Sequence, residues 1–158
     1  MRTIVVTGAH SNVGKTELAS SLCGLIPGAV HVKIGHGEEK SGMDNIFLHM
    51  GAGFDDVVDA AGGADYVVIE SNSIMAEIKP DCAIYLPGGK KRKPTAALAA
   101  RKADVVRGEP VGRGVVERLV ERLDLPETAV LEIIRLAGSW PEDAPPSACG
   151  DSKEIEEG

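Results

Sequence analysis

Short uninterrupted apolar runs alternate along this chain with longer segments in which apolar residues return every three or four positions. The runs "TIVVTG" (3–8), "AVHVKI" (29–34), "ADYVVIE" (64–70), "CAIYLPG" (82–88) and the brief "DVVRG" (104–108) fit strands buried on both faces. In "KTELASSLCGLI" (15–26), Leu18, Leu22, Leu25 and Ile26 fall on one side of a helix. The segment "VGRGVVERLVERL" (111–123) repeats the pattern with Val115, Val116, Leu119, Val120 and Leu123, and "ETAVLEIIRLAG" (127–138) does so after Pro126, a residue suited to a helix start. "DNIFLHM" (44–50), "FDDVVDAAG" (54–62) and "TAALAARK" (95–102) complete the expected helices.

Strands and helices in alternation predict an α/β fold of three layers, a mostly parallel sheet with helices on both faces. With 158 residues, one domain with a full core is expected, and it is assigned to residues 1–138. From Ser139 the chain turns proline-rich and acidic ("SWPEDAPPSACGDSKEIEEG"), so 139–158 is expected to be a disordered tail.

Charge and cysteine content narrow the function. A formal charge of -7 argues against nucleic acid as a general partner, since a phosphate backbone selects for basic surface. Small anionic ligands stay open, because a single loop can be locally positive. No run of about 18 apolar residues occurs, and Met1 to Thr3 lead into a strand pattern rather than a signal peptide, so a cytoplasmic protein without membrane partners is expected. Cys23, Cys82 and Cys149 have no metal-ligand spacing and are expected to be free thiols.

The chemistry concentrates between the first strand and the first helix. Gly8, Ala9, His10, Ser11, Asn12, Val13, Gly14, Lys15 and Thr16 include the spacing A/G-x-x-x-x-G-K-S/T, in which consecutive backbone N–H groups and a helix N-terminus surround phosphate oxygens. Lys15 would place its ammonium on the β- and γ-phosphates, and Thr16 would give its hydroxyl to Mg²⁺, a cation that takes one or two protein oxygens beside phosphate and water. Such a site needs a carboxylate at the end of a neighbouring strand. Glu70, after three aliphatic residues and before Ser71-Asn72-Ser73, supplies it. Lys15 and Glu70 are therefore the expected catalytic residues, with Thr16, Glu70 and Asp44 the candidate Mg²⁺ ligands.

Lys33 and His36 stand at or just past the second strand, in a loop made supple by Gly35, Gly37 and Gly42, and are added to the nucleotide-binding set. Asp44 serves equally well as a helix N-cap. His31 and His49 have no ligand-spaced partner and are read as filler. "RKAD" (101–104) approximates a guanine-reading motif but follows a helix, and is treated as coincidence. "GGKKRKP" (88–94) is a basic loop that would lie at the phosphate edge if its strand is parallel.

Over roughly residues 2–108, "IVVTGAHSNVGKTELASSL", "VHVKIGHG" and "DYVVIE" resemble the MobB family, molybdopterin-guanine dinucleotide biosynthesis protein B. The resemblance implies a P-loop NTPase binding GTP with Mg²⁺, a small dimeric adaptor in molybdenum cofactor biosynthesis. The same segment is similar to dethiobiotin synthetase, which implies ATP and carboxylation with ring closure on a small diamine. A nucleotide-binding regulatory module without turnover is the third alternative.

Overall fold

The computed structural model describes residues 1–9, 14–35, 45–88 and 94–143. Six strands form one sheet: β1 (Arg2–Gly8), β2 (Ala29–Gly35), β3 (Asn45–His49), β4 (Tyr66–Glu70), β5 (Cys82–Leu86) and β6 (Val105–Val106). Their spatial order is β3-β2-β4-β1-β5-β6, and every pairing is parallel. The helices are α1 (Lys15–Leu25), α2 (Phe54–Ala61), α3 (Pro94–Lys102), α4 (Arg113–Leu123) and α5 (Glu127–Leu136), with a 3-10 turn at Ser73–Ala76. The protein is thus α/β, a parallel sheet flanked by helices on both faces.

The alternation of side chains along each strand divides the core in two. Ile4, Val6, Val68, Ile84 and Leu86 face α1, α4 and α5. Val5, Val32, Val67, Ile69, Ala83 and Tyr85 face α2, α3 and the 3-10 turn. Tyr66 ties the amino end of β4 to the end of α4 by donating its hydroxyl to the carbonyl of Leu123 at 2.7 Å. The chain leaves β1 for β2 in one direction and leaves β5 for β6 in the other. Crossovers of one hand then put α1 and α3 on opposite faces and open a crevice beyond the carboxyl end of β1.

Two expectations change. Within "DNIFLHM", Asn45–His49 is a strand, not a helix: β3 pairs with β2 from His31↔Asn45 to Gly35↔His49. Seven residues give too little helical hydrogen bonding to compete, whereas as a strand they satisfy the edge groups that β2 would otherwise expose. The fold also runs past residue 138. Ser139 is buried and donates its hydroxyl to the carbonyl of Val106 at 2.8 Å. A two-stranded ribbon of β7 (Pro110–Val111) and β8 (Trp140–Pro141) follows, closed by Glu142 N–H to Val111 O at 2.7 Å. Residues 144–158, with Cys149, lie outside the described residues.

Cys23 and Cys82 are free thiols, and burial pushes the Cys23 thiol up to about 11, so both belong to packing rather than reactivity. Among the described residues no helix is long and apolar enough to cross a membrane.

Candidate functional site

At the carboxyl end of β1 the backbone is clasped before it turns toward α1. Gly8 N–H donates to Asn72 Oδ1 at 2.9 Å, and Asn72 Nδ2 donates back to Gly8 O at 2.8 Å. Ala9 is buried, and its N–H goes to Leu86 O at 3.0 Å. Gly8 and Ala9 therefore spend their N–H groups on protein, anchoring the start of the loop to the turn after β4 and to β5. His10, Ser11, Asn12 and Val13 lie outside the described residues.

The chain resumes at Gly14, whose φ of 93° is left-handed, a conformation that glycine takes without strain. Gly14 is the N-cap of α1, without a side-chain cap, and its carbonyl accepts the N–H of Leu18 at 3.0 Å. Lys15 and Thr16 form the first turn. The positive end of the helix is thus directed at the crevice.

Glu70 ends β4 beside this turn, almost fully buried at 3 % exposure. The Thr16 hydroxyl donates to Glu70 Oε2 at 2.8 Å. His31 Nε2 lies 3.2 Å from Glu70 Oε1, and Lys33 Nζ lies 3.6 Å from Oε2. Strand register brings them together: Lys33 pairs with Glu70 and His31 with Val68, so alternate residues of β2 and β4 share the α1 face. Burial pushes the Glu70 carboxyl up, but the hydrogen bonds from His31 and Thr16 and the charge of Lys33 outweigh it and hold it below the usual carboxylate range. With Glu70 ionised, His31 Nε2 must carry the proton of their bond.

The donor set suits a hard cation. Thr16 gives its hydrogen to Glu70 and keeps its oxygen lone pairs, and two hard oxygens meet within 2.8 Å at the mouth of a positive helix end. A cation here would be completed by phosphate and water rather than by a protein cage. Among the described residues no group of three or more His, Cys, Asp and Glu side chains is placed to hold a metal by itself.

Lys15, Thr16, Lys33 and Glu70 therefore converge at one end of the sheet, while His36 and Asp44 lie outside the described residues. His31, which has no ligand-spaced partner in the sequence, is a direct partner of Glu70. Asn72, which no motif marks, clasps Gly8 through both its side-chain atoms. The expected basic loop leaves β5 from the same edge, since β5 is parallel to β1, but 89–93 lie outside the described residues. Asp104 of "RKAD" sits at the opposite, amino edge, where its carboxylate accepts the N–H of Ala83 at 2.9 Å. A cavity of about 230 Å³ opens at that edge, lined by Met75, Lys79, Pro80, Lys102, Asp104 and Arg122.

No family model matches the chain, and neither a curated protein nor a solved structure matches it.

Proposed function

We propose that the protein binds a nucleoside triphosphate, GTP or ATP, with Mg²⁺ in the crevice beyond β1, and hydrolyses it slowly. The observation that carries this is the buried Glu70 carboxylate, kept ionised and joined to the Thr16 hydroxyl at the uncapped start of α1. In this reading Lys15 and the first-turn N–H groups bind the β- and γ-phosphates. Thr16 and Glu70 hold the cation, directly or through its water. His31 and Lys33 fix the carboxylate and keep it charged. Bound Mg²⁺ would neutralise charge developing on the β- and γ-oxygens. A chain of charge -7 can attract such an anion because the positive groups are gathered locally.

The MobB resemblance favours GTP, slow intrinsic phosphate release and a role as an adaptor in cofactor assembly. The dethiobiotin synthetase resemblance favours ATP and release that depends on a small amine substrate. Calorimetric titration with ATP, GTP and their diphosphates, with and without Mg²⁺, followed by phosphate-release assays, separates these. Tighter triphosphate binding with Mg²⁺ is expected. Failure of both triphosphates to bind at millimolar concentration overturns the proposal.

A further inference from the structure

The start of α1 has a second neighbour besides the Glu70 cluster. Strand β6 ends at Val106, and Arg107 follows. Its N–H still donates to Tyr85 O at 3.0 Å, so the backbone remains in register with β5 as the side chain departs. The Arg107 Nε donates to the carbonyl of Ala137 at 2.9 Å, just past the end of α5. The side-chain stem crosses Gly138 so closely that a Cβ there would stand 2.9 Å from Arg107 Cγ and 3.0 Å from Nε. Gly138 also has a φ of 89°, so both backbone conformation and close approach require glycine. Two further bonds lock these segments together, Gly108 N–H to Gly138 O at 3.0 Å and Ser139 Oγ to Val106 O at 2.8 Å.

The far end of this braced side chain reaches Gly14. Arg107 Nη1 lies 3.5 Å from where a Cβ on Gly14 would sit, with Glu17 Oε1 4.0 Å from the same point. The guanidinium is thus placed beside the residue that precedes Lys15, at the start of α1.

We propose that Arg107 is a nucleotide-binding residue whose guanidinium, braced on Ala137 and Gly138, contacts the phosphate chain of the nucleotide from the β6 side. This rests on the nucleotide site proposed above. A guanidinium fork suits phosphate oxygens better than an ammonium, because two N–H groups can address one phosphate together.

The test compares wild type, Arg107→Gln, Arg107→Lys and Lys15→Ala in titrations with Mg²⁺-ATP, Mg²⁺-GTP and inorganic tripolyphosphate, with thermal melts alongside. Arg107→Gln is expected to weaken binding of the preferred nucleotide and of tripolyphosphate alike, about tenfold to a hundredfold, with Arg107→Lys in between. If Arg107→Gln melts below the assay temperature, Arg107→Lys decides: it keeps the stem and the charge but loses the fork, and unchanged affinity overturns the proposal. If Lys15→Ala loses binding while folded Arg107→Gln retains it, the site stands and the role of Arg107 falls. A loss confined to the nucleotides, with tripolyphosphate unaffected, overturns the phosphate contact. If wild type binds none of the three, both proposals fail together.

Discussion

The two edges of the sheet each hold a carboxylate among cations, and they behave oppositely. At the carboxyl edge, Glu70 receives hydrogen bonds from His31 and Thr16 and lies 3.6 Å from Lys33, and its pKa is lowered against the pull of burial. At the amino edge, Asp104 accepts one backbone N–H, from Ala83, and lies 3.6 Å from Arg122. There burial outweighs the Ala83 bond and the charges of Arg122, Arg118 and Lys79, and the pKa is raised. Two side-chain donors make the difference, since direct hydrogen bonds to an ionised carboxylate outweigh cations held at a distance. Glu70 is held charged at the end of β4, whereas Asp104 stands just before β6 and secures the N–H of Ala83.

The largest expected break in this contrast is Glu70→Gln, which keeps the shape and removes the charge. Nucleotide affinity should stay within about tenfold of wild type, or roughly 1.4 kcal/mol, while Mg²⁺-dependent turnover falls about a hundredfold. Steady-state phosphate release at saturating Mg²⁺ checks it, and wild-type turnover in the variant would reduce Glu70 to a turn residue.

Next, Lys15→Ala should cost roughly 1.5–3 kcal/mol of triphosphate affinity with little change in melting. Lys79→Ala, at the amino-edge cavity, should leave affinity unaltered. Equal losses in a direct titration would erase the functional difference between the edges.

Truncation after Gly138 sharpens the comparison from the side of Arg107, because it removes the Ser139 bond to Val106 and all of β8. A fall in melting temperature of about 3–6 °C is expected, together with weaker nucleotide binding. An unchanged melt would show that 139–143 contribute nothing to stability.

The smallest effect concerns pH. Glu70, lowered from an ordinary 4.5, contributes stability that is present above 4.5 and is lost as pH falls through its folded value. Asp104, raised from an ordinary 3.8, works the other way: its ionisation costs stability as pH rises from 3.8 through its folded value. Asp104→Asn should therefore melt about a degree or two above wild type at pH 7, with the gain shrinking below pH 4. A gain that grows on acidification would contradict the assignment.

Much of this architecture was legible from pattern alone. The runs ending at Gly8 and Glu70 were recognised as strands because fully buried parallel strands are apolar throughout, and a polar residue closing such a run marks the edge where ligands bind. That reasoning placed Lys33 and Glu70 near the carboxyl edge, where the register of β2 on β4 pairs them. It could not find His31, which stands 39 residues from Glu70 and joins it only through the pairing of β2 with β4. Nor could it find β3, whose seven-residue motif satisfies either periodicity until β2 offers an edge.

What the chain determined by itself was therefore local: the strand and helix segments with enough residues to show a period, and the spacing from Ala9 to Thr16, since both depend on neighbours a few positions apart. Tertiary structure alone decided which distant side chains meet. The register of β2 on β4 set His31 and Lys33 against Glu70, and the approach of Arg107 across Gly138 carried a guanidinium to Gly14. Such meetings depend on how the layers pack, and no short stretch of sequence holds both partners.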